Sequence, residues 1–317
     1  MKITNFAKIA LFLLLAASVR IAAQPVKEIA VTIDDLPLNG PQFEAARLRA
    51  MTGKILAGLK RRRIPAVGFV NESLLYRPPE TDARIDVLRS WVEAGVELGN
   101  HTFSHAGFQT TPLADFADDF VRGDAVTRLL MKPHGARPRY FRHPFLQMAP
   151  DRATEKAFGE FIERRGYRIA PVTVDTMDWM FLVAYTKARA ANKPAEMYRV
   201  AAEYLKYVEA RLAFSEKISL EMFGRPVRHI LLLHANELNA DHVDALFEVF
   251  ARKGYGFVTL ERALEDSIYV FPGKYKATSD WLGHWAFDKG VKFDPPRPPQ
   301  FIEDAFNEQS RATGPRK

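Results

Sequence analysis

The stretch Ile29-Ala30-Val31-Thr32-Ile33-Asp34-Asp35 decides how this chain is read. Its first five residues are apolar or β-branched without a break, as in a strand buried on both faces. It then ends on two adjacent carboxylates, which are costly to bury unless positive groups face them. Side chains alternate along an extended strand, so Asp34 and Asp35 are expected to point oppositely and to take different roles, one of them binding a cation. An Asx turn or helix cap ahead of Pro37 is the plain structural alternative.

Working outward, six more apolar runs read as strands: Ala66–Val70, Val96–Leu98, Tyr140–Phe141, Tyr167–Val174, Ile230–Leu233 and Gly256–Leu260. Helical patterns separate them, at Phe43–Arg63, Ala83–Ala94, Leu113–Met131, Asp151–Arg165 and Ala240–Lys253. In the first, Leu48, Met51, Ile55 and Leu59 recur at three- and four-residue spacing. Gly95 and Gly166 stand in helix-stop positions. Seven strands alternating with helices predict a parallel α/β fold, either an open sheet or a barrel. Neither Gly-x-Gly-x-x-Gly nor Gly-x-x-x-x-Gly-Lys-Ser/Thr is present, which removes the main support for a dinucleotide or P-loop fold. Met180–Arg228 reads as a helical insertion, either a lid or structural padding. The segment Phe271–Lys317, with Pro295, Pro296, Pro298 and Pro299, is expected to pack on the domain surface and then fray.

The 317 residues carry 45 Lys+Arg against 38 Asp+Glu, a net charge of 45 − 38 = +7. Met1–Ala23 reads as a secretory signal peptide, with Lys2 and Lys8 ahead of the apolar run Ile9–Val19 and small residues before Gln24. An uncleaved anchor is the alternative, and the run is short for one. Removing Lys2, Lys8 and Arg20 leaves about +4. That excess is too mild to indicate a nucleic-acid partner, and Lys60–Arg63 reads as the basic last turn of a helix. The expectation is an exported protein, periplasmic or secreted, without stable membrane insertion of the mature chain. No cysteine is present, which excludes a thiolate metal site, a Cys nucleophile and a redox pair.

Residues of chemical use fall at the C-terminal ends of the expected strands, where parallel α/β folds keep their sites. Gly99-Asn100-His101-Thr102-Phe103-Ser104-His105 offers two imidazoles at i, i+4, on one face if the segment is helical. Zinc, cobalt and nickel suit imidazole with carboxylate. Thr102 stands where the His-Glu-x-x-His pattern needs its base, so the base must come from elsewhere. Arg142-His143-Pro144-Phe145 offers a guanidinium able to pair with a buried acid. Asp178-Trp179 ends the fifth strand region, and Leu231-Leu232-Leu233-His234 delivers a His straight from an apolar run. A lone His there is commonly a core residue; in this company it is a general-acid candidate.

In that order, over roughly residues 29–260, the sequence resembles the polysaccharide deacetylase (NodB-homology) family of carbohydrate esterases. The resemblance implies a distorted (β/α)7 barrel over about residues 24–270, with a helical insertion at about 180–228 and a C-terminal extension. It implies metal-dependent removal of acetyl groups from an exported or cell-envelope carbohydrate of N-acetylglucosamine type. Asp34 then corresponds to the base and Asp35, His101 and His105 to the ligands of a divalent metal: zinc first, with cobalt, nickel or manganese as alternatives. Arg142 corresponds to the residue holding the base and Phe145 to the oxyanion N–H donor. Asp178 corresponds to the partner of the acid His234, and Trp179 to a wall of the acetyl pocket. An O-acetyl esterase, a non-catalytic carbohydrate binder and a small cyclic-amide hydrolase are the competing readings. The sequence departs from the family pattern at Ile33, Leu36, His143 and Leu146, which suggests altered loop geometry around the acetyl site; His143 is expected to pack or hydrogen-bond locally.

Overall fold

The structure is a computed structural model that describes residues 27–40, 43–275 and 280–313. The expected signal peptide, Met1–Ala23, lies outside the described residues. The elements run β1 (Lys27–Leu36), α1 (Ala45–Arg62), β2 (Ala66–Val70), α2 (Thr81–Glu93), β3 (Glu97–Asn100), α3 (Leu113–Arg122), α4 (Ala125–Met131) and β4 (Tyr140–Phe141). They continue with α5 (Arg152–Glu163), β5 (Arg168–Ile169), β6 (Val174–Asp175), α6 (Asp178–Ala190), α7 (Pro194–Phe223), β7 (His229–His234), α8 (Glu237–Arg252) and β8 (Tyr255–Val258). Three helices close the chain: α9 (Leu260–Leu264), α10 (Trp281–Lys289) and α11 (Gln300–Thr313).

All strand pairings are parallel, in the order β5-β4-β3-β2-β1-β7-β6, with β8 pairing the start of β1. β1 is central, bonded to β7 along Ile29–Asp34 and to β2 from Val31 onward. Its position explains the unbroken apolar run: Ile29, Ala30, Val31 and Thr32 are fully buried. The expected strand Tyr167–Val174 is in fact two strands at opposite edges of the sheet, so among the described residues eight strands stand where seven are expected. Between them Ala170–Thr173 crosses the gap: the Ala170 N–H donates to Phe141 O at 2.8 Å, and the Thr173 N–H donates to Ile230 O at 3.0 Å. Pro171 has no N–H and cannot continue a ladder. The crossing joins the two edges, and the curled sheet with its surrounding helices is a distorted (β/α) barrel.

The stripe Leu48, Met51, Ile55 and Leu59 of α1 is buried in the main core, each side chain contributing about 1.5–3 kcal/mol. The basic end of α1 is used inside the molecule: Arg61 reaches Asp244 at 2.6 Å and Arg62 reaches Glu248 at 2.9 Å, both on α8. Gly95 and Gly166 have φ of +82° and +78°, as expected for residues that end helices. The pattern over Leu113–Met131 breaks at Gly123 into α3 and α4.

Met180–Arg228 is the crossover between β6 and β7, built from α6 and α7. The α7 residues Val200, Tyr204, Tyr207, Val208 and Leu212 belong to the same core as β1 and α8, which favours structural filling over a mobile lid. The C-terminal segment forms helices rather than fraying over residues 300–313. Leu282 and Ala286 of α10 are fully buried against α7, as is Ile302 of α11, which packs on α6. The Trp281 N–H donates to Val172 O at 2.7 Å, pinning the crossing between the sheet edges. Among the described residues, no helix is long and apolar enough to cross a membrane.

Candidate active site

The strand alternation expected of Asp34 and Asp35 does not hold, because β1 bulges. Its register against β2 shifts between Ile33 and Leu36, and Asp35 takes a left-handed φ of +59°. The bulge turns both carboxylates toward the same imidazole: His101 Nε2 lies 3.7 Å from Asp34 Oδ2 and 3.5 Å from Asp35 Oδ1. The two acids differ in their other partners. Arg142 Nη1 donates to both Asp34 oxygens at 3.2 and 3.1 Å. Asn39 donates to Asp35 Oδ2 at 2.6 Å. Burial raises the Asp34 pKa to about 6 against the lowering pull of Arg142 and His234. Burial acts the same way on Asp35, but His105, His234 and His101 together outweigh it and bring the pKa to about 2.

His101 and His105 meet through a loop, not through helical spacing. Residues 101–105 are irregular, with φ of +62° at Thr102 and +61° at His105. The loop is held from α3, where Asp119 O accepts the Phe103 N–H at 3.0 Å and Asp119 Oδ2 accepts the Ser104 N–H at 3.0 Å. Gly123 leaves it room, since a Cβ there would lie 2.5 Å from the Thr102 carbonyl carbon. His101 Nδ1 is 2.8 Å from Arg142 O, so this nitrogen carries the proton and Nε2 is left as a donor atom toward the site. Burial holds His101 well below its ordinary pKa, in the neutral form a metal requires.

Asp35, His101 and His105 bring their donor atoms within 4.8 Å of one another. Asp35 Oδ1 is buried without a hydrogen-bond partner, 3.3 Å from His105 Nε2. An orphaned carboxylate oxygen between two imidazoles is costly by itself and fits a divalent cation with mixed N and O ligands.

Arg142 is buried and fully engaged. Beyond Asp34, its Nε donates to Ala170 O at 2.5 Å and its Nη2 to Thr32 Oγ1 at 3.0 Å, and it lies over the Phe69 ring. The guanidinium therefore has one orientation, and so does the carboxylate it holds.

Asp34 and His234 are register partners on the adjacent strands β1 and β7. His234 Nδ1 is 2.6 Å from Asp178 Oδ1. Burial opposes charge on this ring, but Asp178, aided by Asp35 and Asp34, lifts its pKa to about 10. Asp178 is fully buried and also accepts from Asn236 and Asn239 side chains and from the Trp179 N–H.

Phe145 has φ of +57° and is half exposed, its ring edge-on to His105 at 4.3 Å. Leu146 also has φ of +55°, a conformation that glycine adopts without strain. Trp179 is half-buried, edge-on to Phe306 of α11 at 5.0 Å. His143 lies in a cluster of Phe108, Phe116, Phe141 and Phe158, with its Nε2 3.2 Å from Glu155 Oε1. Sequence reasoning missed Asn39, Asn236, Asn239 and Thr32, whose side chains orient the acids and Arg142. The available signal was their position, within five residues of Asp34, Asp35 or His234.

The polysaccharide deacetylase family model matches residues 22–159. No curated protein matches the sequence. Among solved structures, a mutant of a CE4 family pseudoenzyme is 17% identical, covers 75% of this chain and 67% of its own, and has a TM-score of 0.50. A family 4 acetyl xylan esterase from Clostridium thermocellum, in complex with cobalt, is 20% identical over 75% of this chain and 91% of its own, at 0.49. A peptidoglycan deacetylase from Bacillus subtilis is 22% identical over 75% and 90%, at 0.46. The polysaccharide deacetylase, or NodB-homology, family model thus matches residues 22–159 of this chain, and its fold is similar to that of the CE4 family pseudoenzyme structure.

Proposed function

We propose that the chain is a metal-dependent hydrolase that removes acetyl groups from an exported or cell-envelope carbohydrate, an N-acetylglucosamine-type polymer or oligomer. The carrying observation is the orphaned Asp35 Oδ1 between two imidazoles, with a second carboxylate, Asp34, beside it and the Asp178-bound His234 in register with that carboxylate.

Asp35, His101 and His105 would hold the ion, which supplies a lowered pKa for water and a polarised acetyl carbonyl. Asp34 accepts the proton of the attacking water. Its carboxylate is aimed by Arg142, and it is the one acid of the pair outside the proposed ligand set. The Phe145 N–H donates to the developing oxyanion, a contribution of about 3 kcal/mol for one such donor. His234, with Nδ1 engaged by Asp178, carries its second proton on Nε2 and delivers it to the departing amine. Trp179 lines the acetyl site.

Export rests on Met1–Ala23 and the substrate class on the family. The test is acetate release across a panel of N- and O-acetylated glycans, using metal-stripped and zinc-restored protein. Release that depends on zinc and favours N-acetylated glycans supports the proposal. Release from O-acetylated glycans alone replaces it with an esterase, and none from any glycan overturns the hydrolase.

A further inference from the structure

Glu155, on α5, lies outside the residues assigned above, yet it touches both ends of one loop of the site. Its Oε2 accepts the Ala149 N–H at 2.8 Å. Its Oε1 lies 3.2 Å from His143 Nε2, in direct contact though not aligned for a hydrogen bond. Both side chains are buried, Glu155 at 3% exposure and His143 at 4%. Phe141 stands edge-on to the His143 ring at 4.9 Å, and Phe108 is stacked with it at 6.1 Å. So apolar a setting strengthens an electrostatic contact and makes its loss costly.

The five residues between these anchors carry Phe145 and Leu146, consecutive non-glycine residues in the left-handed region. Such backbone persists only where its surroundings over-determine it. Within the loop, two turn bonds hold it, Leu146 N–H to His143 O at 3.1 Å and Gln147 N–H to Pro144 O at 3.0 Å. Phe145 stands against His105, so loop position and ligand position are linked.

We propose that Glu155 is a positioning residue: it clamps His143 and Ala149 and so sets where Phe145 stands beside His105. The catalytic part of this inference rests on the function proposed above. The clamp itself does not.

The test is hydrogen exchange of the amides of residues 143–149 in the full chain, alongside steady-state acetate release, for wild type, Glu155→Ala and Glu155→Gln. Glu155→Ala is expected to speed exchange in the loop about tenfold or more, and to lower kcat by about ten- to a hundredfold with KM little changed, as sub-ångström misplacement does. Glu155→Gln keeps an acceptor for the Ala149 N–H and is expected to restore most of both. Unchanged exchange in Glu155→Ala overturns the clamp. Faster exchange with unchanged kcat reduces Glu155 to a structural role and overturns the positioning claim. If wild type releases no acetate, the hydrolase reading fails while the exchange result still decides the clamp. Should Glu155→Ala not fold, His143→Ala, which frees one end only, carries the same measurements.

Discussion

Asp178 holds His234 at two points. Its Oδ1 is 2.6 Å from His234 Nδ1, and its Oδ2 accepts the His234 backbone N–H at 2.7 Å. One buried carboxylate thus fixes the ring's tautomer and the strand end that carries it. Asn236 and Asn239, one turn along the following chain, hold the carboxylate in turn.

Asp178→Asn should uncouple the charge on His234 from the strand. The ring's pKa, lifted to about 10, should fall back toward or below its ordinary 6.5. Activity requiring a protonated His234 should then decline from near neutral pH instead of near pH 10, with a loss of about 10²–10⁴ at pH 8. A pH–rate profile reads this directly. Stability carries the same sign. A raised folded-state pKa stabilises fully below 6.5 and loses that contribution as pH climbs through 10, so the variant's deficit in urea unfolding should be largest at acidic pH and shrink toward pH 10.

Asp34→Asn should keep metal content and lose turnover by about 10²-fold or more. As a base, Asp34 works only when ionised, so wild-type activity should rise as pH passes about 6. Arg142 is the largest of the influences that hold this pKa down against burial. Arg142→Ala should therefore move the acid limb to higher pH. An unmoved limb would separate Asp34 from that step.

Zinc should stabilise the fold, because a ligand bound to the native state at 100 times its Kd adds about 2.7 kcal/mol. Melting with zinc and with chelator measures the shift. His101→Ala and Asp35→Ala should each abolish it and cut bound metal in elemental analysis. A wild-type-sized shift in both would refute the ligand set.

Gly123→Ala tests the packing beneath the proposed ligands. The added carbon would sit 2.5 Å from the Thr102 carbonyl carbon and 2.6 Å from the Phe103 nitrogen, so the His101–His105 loop must move. We expect about 1–3 kcal/mol of destabilisation and weaker zinc binding by isothermal titration. Gly159→Ala, where nothing lies within 4 Å, should leave zinc binding unaltered.

Much of the fold was legible because burial leaves a linear trace. The apolar runs at Ile29, Ala66 and Ile230 mark central strands, and the spacing of Leu48, Met51, Ile55 and Leu59 marks the inward face of α1. The stretch Tyr167–Val174 misled because β5 and β6 are each only two residues long and the run between them, Ala170–Thr173, is buried, and nothing local says that the two strands belong to opposite edges. The helical reading of the two histidines misled for a similar reason: left-handed φ at Thr102 and His105 is imposed by contacts with α3, not by their residue types.

The sequence by itself determined which chemical groups stand at the strand ends and in what order, since side-chain type and hydrophobic period are properties of neighbours along the chain. Tertiary structure alone decided that Asp34 and Asp35 face one imidazole, that Arg142 meets one of them and not the other, and that Glu155 reaches a loop carrying Phe145. Those facts depend on a bulge, a crossing between sheet edges and contacts between residues up to 108 positions apart, where position is set by packing and not by local preference.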